Sequence, residues 1–285
     1  MPAPGIVLGI GDDCAIFSPR AGEHLVFTTD LLVENVHFRR ATHSPRDVGH
    51  KILARGLSDL AAMGAEPRFC LLSLALPPAT PQPWVDGIFA GLLHLAGASK
   101  VRLAGGDLGT APVITADVMV CGGVPQGRAL RRDGARAGDT IYVSGDLGAS
   151  ALGLAGTRGE ARRRHLRPTP RLALGAFLRR LGATACIDLS DGLSSDLARV
   201  GRASGLSAQI TLPPIFRGAS EAQALHGGED YELLFTVPPA TRVPPSFQQL
   251  PLTAIGTMQK GRPGRVLLDG KPLPTLGYDH FRQKT

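Results

Sequence analysis

Several signatures that usually announce a nucleotide or metal site are missing from this sequence. There is no GxxxxGK(S/T) loop, no strand-borne GxGxxG followed by an acid for a ribose, and no HRD or DFG set, which excludes the common phosphate-cradling loops. The four cysteines, Cys14, Cys70, Cys121 and Cys186, lie far apart among apolar or small neighbours, without CxxC spacing. Reduced, mostly buried thiols are expected. Histidines are not grouped at ligand spacing either, which argues against a transition metal.

Long apolar runs are absent too. None reaches the roughly 18 residues needed to cross a bilayer, and the opening MPAPGIVLGIGDD has neither the basic start nor the long apolar stretch of a signal peptide. A soluble, cytoplasmic protein with no membrane partner is expected. The chain is basic, with net charge +7 and pI near 9.7. Its densest basic run, 158–171 (RGEARRRHLRPTPR), nevertheless contains Gly, Pro and Thr and no interleaved aromatics on which bases would stack. No nucleic-acid partner follows from it.

What is there is ordinary in bulk and unusual in its acids. With 285 residues, 43% hydrophobic and 19% charged, the chain has the composition of a globular protein of two domains or one large one. Apolar, β-compatible runs at 25–28, 69–76, 113–120 and 140–143, bounded by Gly, Pro or Asp, predict strands. Apolar positions at three- and four-residue spacing predict helices over 45–63, 82–96, 170–181 and 191–203, with Ser44 and Thr80 available as caps for the first two. The expected fold class is α+β. Polarity and turn residues concentrate over 124–136 (VPQGRALRRDGAR), the expected seam between domains 1–126 and 127–285. The Pro-rich stretch 237–251 reads as an irregular surface excursion.

Aspartate outnumbers glutamate 17 to 7, and many aspartates stand beside Gly, Ser or Thr at the ends of apolar runs. A short carboxylate at a strand end has little rotamer freedom and suits a hard cation. Six segments share the pattern: GIGDDCA, TTD, LSDLAAMG, AGGD, IDLSDG and HGGEDYE. Any one of them is equally an Asx-turn or a helix cap. Together they would repel one another without cations to offset them, and Mg²⁺, which binds carboxylates, water and substrate phosphates, is the natural counter-charge. A polyphosphate ligand such as ATP is the next inference.

In order and spacing, GIGDD, TTDLLVENVHF, HKILARGLSDLAAMGAEP, GGD, SGDLGASALGL, RHLRPTPR, IDLSDGLSSDL, GGEDYELLFTVP and GYDHF resemble the thiamine-monophosphate kinase family over nearly the whole chain. That family lies in a superfamily that also holds aminoimidazole ribonucleotide synthetase, selenophosphate synthetase and a hydrogenase-maturation dehydratase. The resemblance implies two mixed α/β-layered domains. The N-terminal one would bind metal and ATP and pair its sheet across a homodimer, and the C-terminal one would complete the active site. It implies several Mg²⁺ ions held by Asp13, Thr28, Thr29, Asp30, Asp59, Asp107, Asp188 and Asp191. ATP would lie beside Gly106, Asp107 and Ser190 with Arg132 on the nucleotide, and thiamine phosphate would meet His37, Glu229 and Tyr278. Read as residues alone, Arg132 is equally a solvated linker charge, Tyr278 a half-buried terminal aromatic, His37 a structural histidine and Glu229 a cap.

The reaction so implied is in-line transfer of the ATP γ-phosphoryl group to an acceptor phosphate that is already ionised, so no covalent nucleophile or strong general base is required. The rival readings are another ATP-dependent enzyme of the superfamily and a non-catalytic nucleotide binder. The sequence departs from the family in places: GGDLG (Leu108) stands where GGDT is common, LHGGED (His226) replaces LSGGED, and Arg55–Gly56 occupies an Asn-containing position. Eight residues precede GIGDD, where members carry a longer segment that includes a first helix and part of a subunit contact.

Overall fold

Ser44 and Asp47 cap one another at the start of the first long helix. Ser44 N and Oγ donate to Asp47 Oδ2 at 3.0 and 2.7 Å, and Asp47 N donates back to Ser44 Oγ at 3.2 Å. The helix, α1 (Pro45–Ala62), then begins on a proline, where a missing N–H costs nothing. The second long helix, α2 (Gln82–Ala98), starts differently from expectation. Its cap position is Pro81, whose φ of −63° presets the turn, and no side chain caps it, so Thr80 does not serve.

The structure is a computed structural model describing residues 5–11 and 14–281. It divides into two units, the first comprising residues up to Leu60 together with Ala65–Ala129, the second Ala61–Gly64 and everything from Leu130 onward.

The first unit contains β1 (Ile6–Leu8), β2 (Ile16–Phe17), β3 (Glu23–Val33), α1 as far as Leu60, β4 (Glu66–Leu76), α2, β5 (Arg102–Thr110) and β6 (Thr115–Pro125). Its main sheet runs β3-β6-β4-β5, with β4 and β5 parallel and the other pairs antiparallel. Val118 and Val120 of β6 are fully buried and face α1, where Gly56 lets the helix press against the strand; a Cβ there would sit 2.6 Å from Val120 Cγ2. Ile52, Leu53, Leu57 and Leu60 bury the rest of that helix face, each worth about 1.5–3 kcal/mol relative to exposure.

The second unit contains β7 (Thr140–Ser144), α3 (Ala149–Leu154), α4 (Glu160–Leu166), α5 (Leu172–Leu181), β8 (Ala185–Asp188), α6 (Leu193–Ala203), β9 (Ser207–Ile210), α7 (Glu221–His226), β10 (Leu233–Val237), β11 (Ser246–Phe247), β12 (Leu250–Gln259), β13 (Val266–Leu268) and β14 (Lys271–Pro272). The sheet order is β14-β13-β9-β12-β7-β10-β8, with β11 paired to β12. Part of the stretch expected to be irregular is thus strand: Ser246 and Phe247 pair with Pro251 and Leu250.

Both faces of this sheet are covered, and the period-2 alternation shows it. Ile141, Val143, Ile187 and Leu234 join α6 residues Leu193, Leu197 and Val200 in one core, whereas Cys186, Leu233, Phe235 and Val237 join Leu174 and Leu178 of α5 in another. That is why β10, LLFTV, is buried at every position and reads as a continuous apolar run. Three of the four cysteines are buried and all are free, as expected.

Candidate functional site

In the second unit β8 ends on the buried Asp188, and the chain turns through Leu189, Ser190, Asp191 and Gly192 into α6. Asp196, fully buried in α6, shapes this turn by accepting the N–H groups of Asp191 and Gly192 on Oδ2 at 3.1 and 3.0 Å. A carboxylate is favoured there because the first amides of a helix lack intrahelical acceptors. Burial, and then the neighbouring Asp191 charge, push Asp196 up to about 6. Arg199 spans both acids: Nη2 lies 2.5 Å from Asp191 Oδ2 and Nη1 lies 2.6 Å from Asp196 Oδ1.

Backbone bonds draw further residues to this turn. Glu229 N donates to Ser190 O at 2.8 Å, Tyr231 N to Leu189 O at 2.9 Å and Tyr278 N to Asp191 O at 2.9 Å. Asp188, Ser190, Asp191, Glu229 and Tyr278, all singled out in the sequence, therefore share one loop cluster. Glu229 sits at φ 66°, uncommon for a residue with a Cβ, and its Oε2 is 3.5 Å from Nδ1 of the buried His165, which also meets Ser150 Oγ at 3.0 Å. The next residue, Asp230, accepts Gly148 N and Ser150 N at 2.6 and 3.0 Å. Its burial pushes the carboxyl up to about 6. Beside the turn a cleft of about 410 Å³ is lined by residues that include Asp191, Arg199, Arg202, Tyr278 and His280.

Arg132 is exposed on the loop before β7, its carbonyl accepting from Ser204 Oγ at 2.9 Å. His226, one of the departures from the family, makes its own contact through Nδ1 to Ser194 Oγ at 2.8 Å, and burial lowers its pKa.

In the first unit, Thr28 and Asp30 lie on the β3 face turned toward α1. Thr28 Oγ1 donates to Asp59 Oδ2 at 2.5 Å, and Arg55 donates to Asp30 Oδ1 through Nε at 2.9 Å and Nη2 at 2.6 Å. The cross-strand row through Asp30 continues over Val118 and Leu72 to Gly106. There φ is +157° and a Cβ would lie 2.0 Å from Leu72 O, so only glycine fits. Thr29 and Asp107 belong to the opposite face. Asp107 stands in the row Leu31–Asp117–Ser73–Asp107, one register away. The Asp117 carboxyl is raised by burial and by the charge of Asp30. His37 accepts Val33 N on Nδ1 at 2.9 Å, which leaves Nε2 as the protonated nitrogen of the neutral ring. Asp13 lies outside the described residues.

Among the described residues no three carboxylate, imidazole or thiolate groups converge into a ready-made metal-ligand set. The donors present, aspartate oxygens beside a threonine hydroxyl in the first unit and Asp188 and Asp191 on the turn of the second, are the hard oxygens that Mg²⁺ takes. That ion is commonly held by one or two carboxylates, the remaining positions going to phosphate and water. Magnesium therefore fits these residues. Sequence reading gave Asp196 and Arg199 no role, although both lie in or next to IDLSDGLSSDL; an acid within the first turns of a helix, with an arginine three residues on, was the available signal.

Two family models match the chain: AIR synthase related protein, N-terminal domain, over residues 11–124, and its C-terminal domain over residues 136–269. A thiamine-monophosphate kinase of Salmonella typhimurium is 40% identical over 301 residues, covering 96% of this chain and 91% of its own length. The crystal structure of a Stenotrophomonas maltophilia thiamine-monophosphate kinase superposes with TM-score 0.86 at 39% identity, covering 95% of this chain and 93% of its own. The solved complex described as AaThiL with AMPPCP and TMP superposes with TM-score 0.85 at 32% identity, covering 93% and 89%.

Proposed function

Because this chain belongs to the thiamine-monophosphate kinase family of AIR synthase related proteins, and so is an ATP-dependent kinase of thiamine monophosphate, we propose that its acidic strand ends carry out direct, in-line transfer of the ATP γ-phosphoryl group to the acceptor phosphate. The observation that carries the reading is the loop cluster of the second unit. Backbone bonds from Glu229 to Ser190 and from Tyr278 to Asp191 tie two acceptor-binding candidates to the turn that carries the candidates for phosphate and metal.

In this reading Thr28, Thr29, Asp30, Asp59, Asp107, Asp188 and Asp191, with Asp13, hold Mg²⁺. The bound ions neutralise the charge of two polyanions that must approach one another. Ser190, Asp107 and the backbone at Gly106 orient the ATP phosphates, Arg132 meets the nucleotide, and His37, Glu229 and Tyr278 hold thiamine monophosphate. The acceptor oxygen is already ionised near neutrality, so no side chain has to take a proton from it, and catalysis reduces to positioning and charge neutralisation. Residues 1–126 serve as the metal- and ATP-binding part and 127–285 as the part that completes the active site.

A homodimer is part of the proposal. The first unit's edge strand β3 is 11 residues long and, on the face away from α1, exposes Phe27 and Leu31 at 61% and 50%, an apolar patch beside an open edge of the kind that a second copy covers. A cytoplasmic location without a membrane or nucleic-acid partner belongs to the same proposal; no helix among the described residues is long and apolar enough to cross a membrane.

The test is product formation from ATP and Mg²⁺ with thiamine monophosphate, thiamine or an aminoimidazole precursor as acceptor. Thiamine diphosphate should form, and only from the monophosphate. Transfer to another acceptor, or nucleotide binding without transfer, would assign the chain to a different activity of the superfamily.

A further inference from the structure

Each unit carries an arginine clamped on an aspartate that the proposed function gives to magnesium. In the first, Arg55 places Nε and Nη2 on the same oxygen of Asp30, with the two side chains 13% and 21% exposed. In the second, Arg199 forks between Asp191 and the fully buried Asp196. Asp191 has a second acid close by, since Asp196 accepts its amide and shares its arginine, and Asp30 is largely buried against the helix. A charge in either place needs a permanent counter-charge, and a guanidinium supplies one that does not deprotonate.

From these two independent contacts we propose that Arg55 and Arg199 are resident counter-cations, positioning residues that hold Asp30 and Asp191 in the metal-free protein and compete with the divalent ion for them. The proposal rests on the reading of Asp30 and Asp191 as metal ligands. An arginine and a dication cannot both occupy the inner side of one carboxylate, so the two are negatively coupled. Arg199 is built for the exchange. Asp196 keeps hold of Nη1 when Asp191 is given up, so the guanidinium stays nearby and its charge stays paired. A purely structural ion pair would behave oppositely, since its removal would loosen the aspartate and weaken metal binding.

The experiment titrates nucleotide-free protein with Mn²⁺, followed by electron paramagnetic resonance, comparing wild type with Arg55→Gln and Arg199→Gln after confirming their folding by circular dichroism. Each variant should bind at least one Mn²⁺ about tenfold more tightly, the size of an ordinary coupling between two ligands. Arg55→Lys and Arg199→Lys, which keep the charge, should stay near wild type. Unchanged or weaker affinity in the folded glutamine variants overturns the proposal. A second measurement needs no variant: in wild-type protein with ¹⁵N-labelled arginine, the Nε–H signals of Arg55 and Arg199 should move as Mg²⁺ is added, and signals that stay fixed at saturating metal overturn it equally. These outcomes are separate from the fate of the proposed function, which fails if wild-type protein makes no thiamine diphosphate.

Discussion

The backbone amide of Glu229 donates to the carbonyl of Ser190 at 2.8 Å, so a residue assigned to the acceptor and one assigned to the ATP phosphates are joined by the main chain. Glu229 is further held by its approach to the buried His165. Replacing the carboxylate by an amide, Glu229→Gln, leaves the backbone tie intact. The expected result is a KM for thiamine monophosphate raised about tenfold or more, with the KM for ATP unchanged. Initial rates against each substrate separate the two, and an equal effect on both would remove Glu229 from the acceptor site.

At Gly106 in the first unit even a methyl group meets the backbone of the neighbouring strand. Gly106→Ala puts a methyl group 2.0 Å from Leu72 O at φ +157°, so the strand has to shift and the cost is about 1–3 kcal/mol. Gly109 lies on the same strand with nothing within 4 Å of its would-be Cβ, and Gly109→Ala is the control. Thermal unfolding should show a clear loss for the first and almost none for the second.

The β7–β10 region of the second unit depends on one buried ion pair. Glu232, 2% exposed, is held by both Nε and Nη2 of Arg171 and by Ser144 Oγ at 2.5 Å. Glu232→Gln leaves Arg171 without its counter-charge, and breaking such a pair costs about 3–5 kcal/mol. Urea denaturation measures the loss. A variant within 1 kcal/mol of wild type would mean that water reaches Arg171 and compensates it.

Part of this organisation is legible in the sequence and part is not. The two long helices of the first unit and strands β4, β6 and β7 follow from apolar period and turn residues, because each buries one continuous face or core run. β5 does not: RLAGGDLGT has three glycines and no β-branched residue before Thr110, and it is extended because β4 pairs with it in parallel. β3 is likewise longer than its apolar heart, since the threonines and Asp30 continue the ladder to Val33. The acidic turns stand out only as a set, because one Asp beside Gly is an ordinary turn or cap whereas six such segments would repel one another without cations. Arg55 shows in the sequence only as a departure from the family, and the spacing of Asp196 and Arg199 is a weak signal, because a charge on a helix looks the same whether it faces solvent or another charge.

Asp230 gives the fold a pH dependence whose sign follows from its burial. Burial raises its carboxyl from 3.8 to about 6, so the folded protein keeps a proton that the unfolded chain has lost. Its contribution to stability is complete below about pH 4 and declines as pH rises through about 6. Asp230→Asn cannot titrate. The difference in unfolding free energy between wild type and variant should therefore move against wild type by about 2–3 kcal/mol from about pH 4 to 7. Urea titrations across that range check it, and a flat difference would mean that Asp230 ionises normally.

Phosphorus NMR of the reaction mixture shows whether the acidic turns serve a direct transfer from ATP to thiamine monophosphate. Wild-type protein with Mg²⁺ should convert ATP and thiamine monophosphate into ADP and thiamine diphosphate one for one, with no inorganic phosphate. Asp30→Asn and Asp191→Asn should be slower by orders of magnitude while remaining folded. Inorganic phosphate appearing in place of thiamine diphosphate, or wild-type rates in both variants, would mean that these aspartates do not serve a direct transfer.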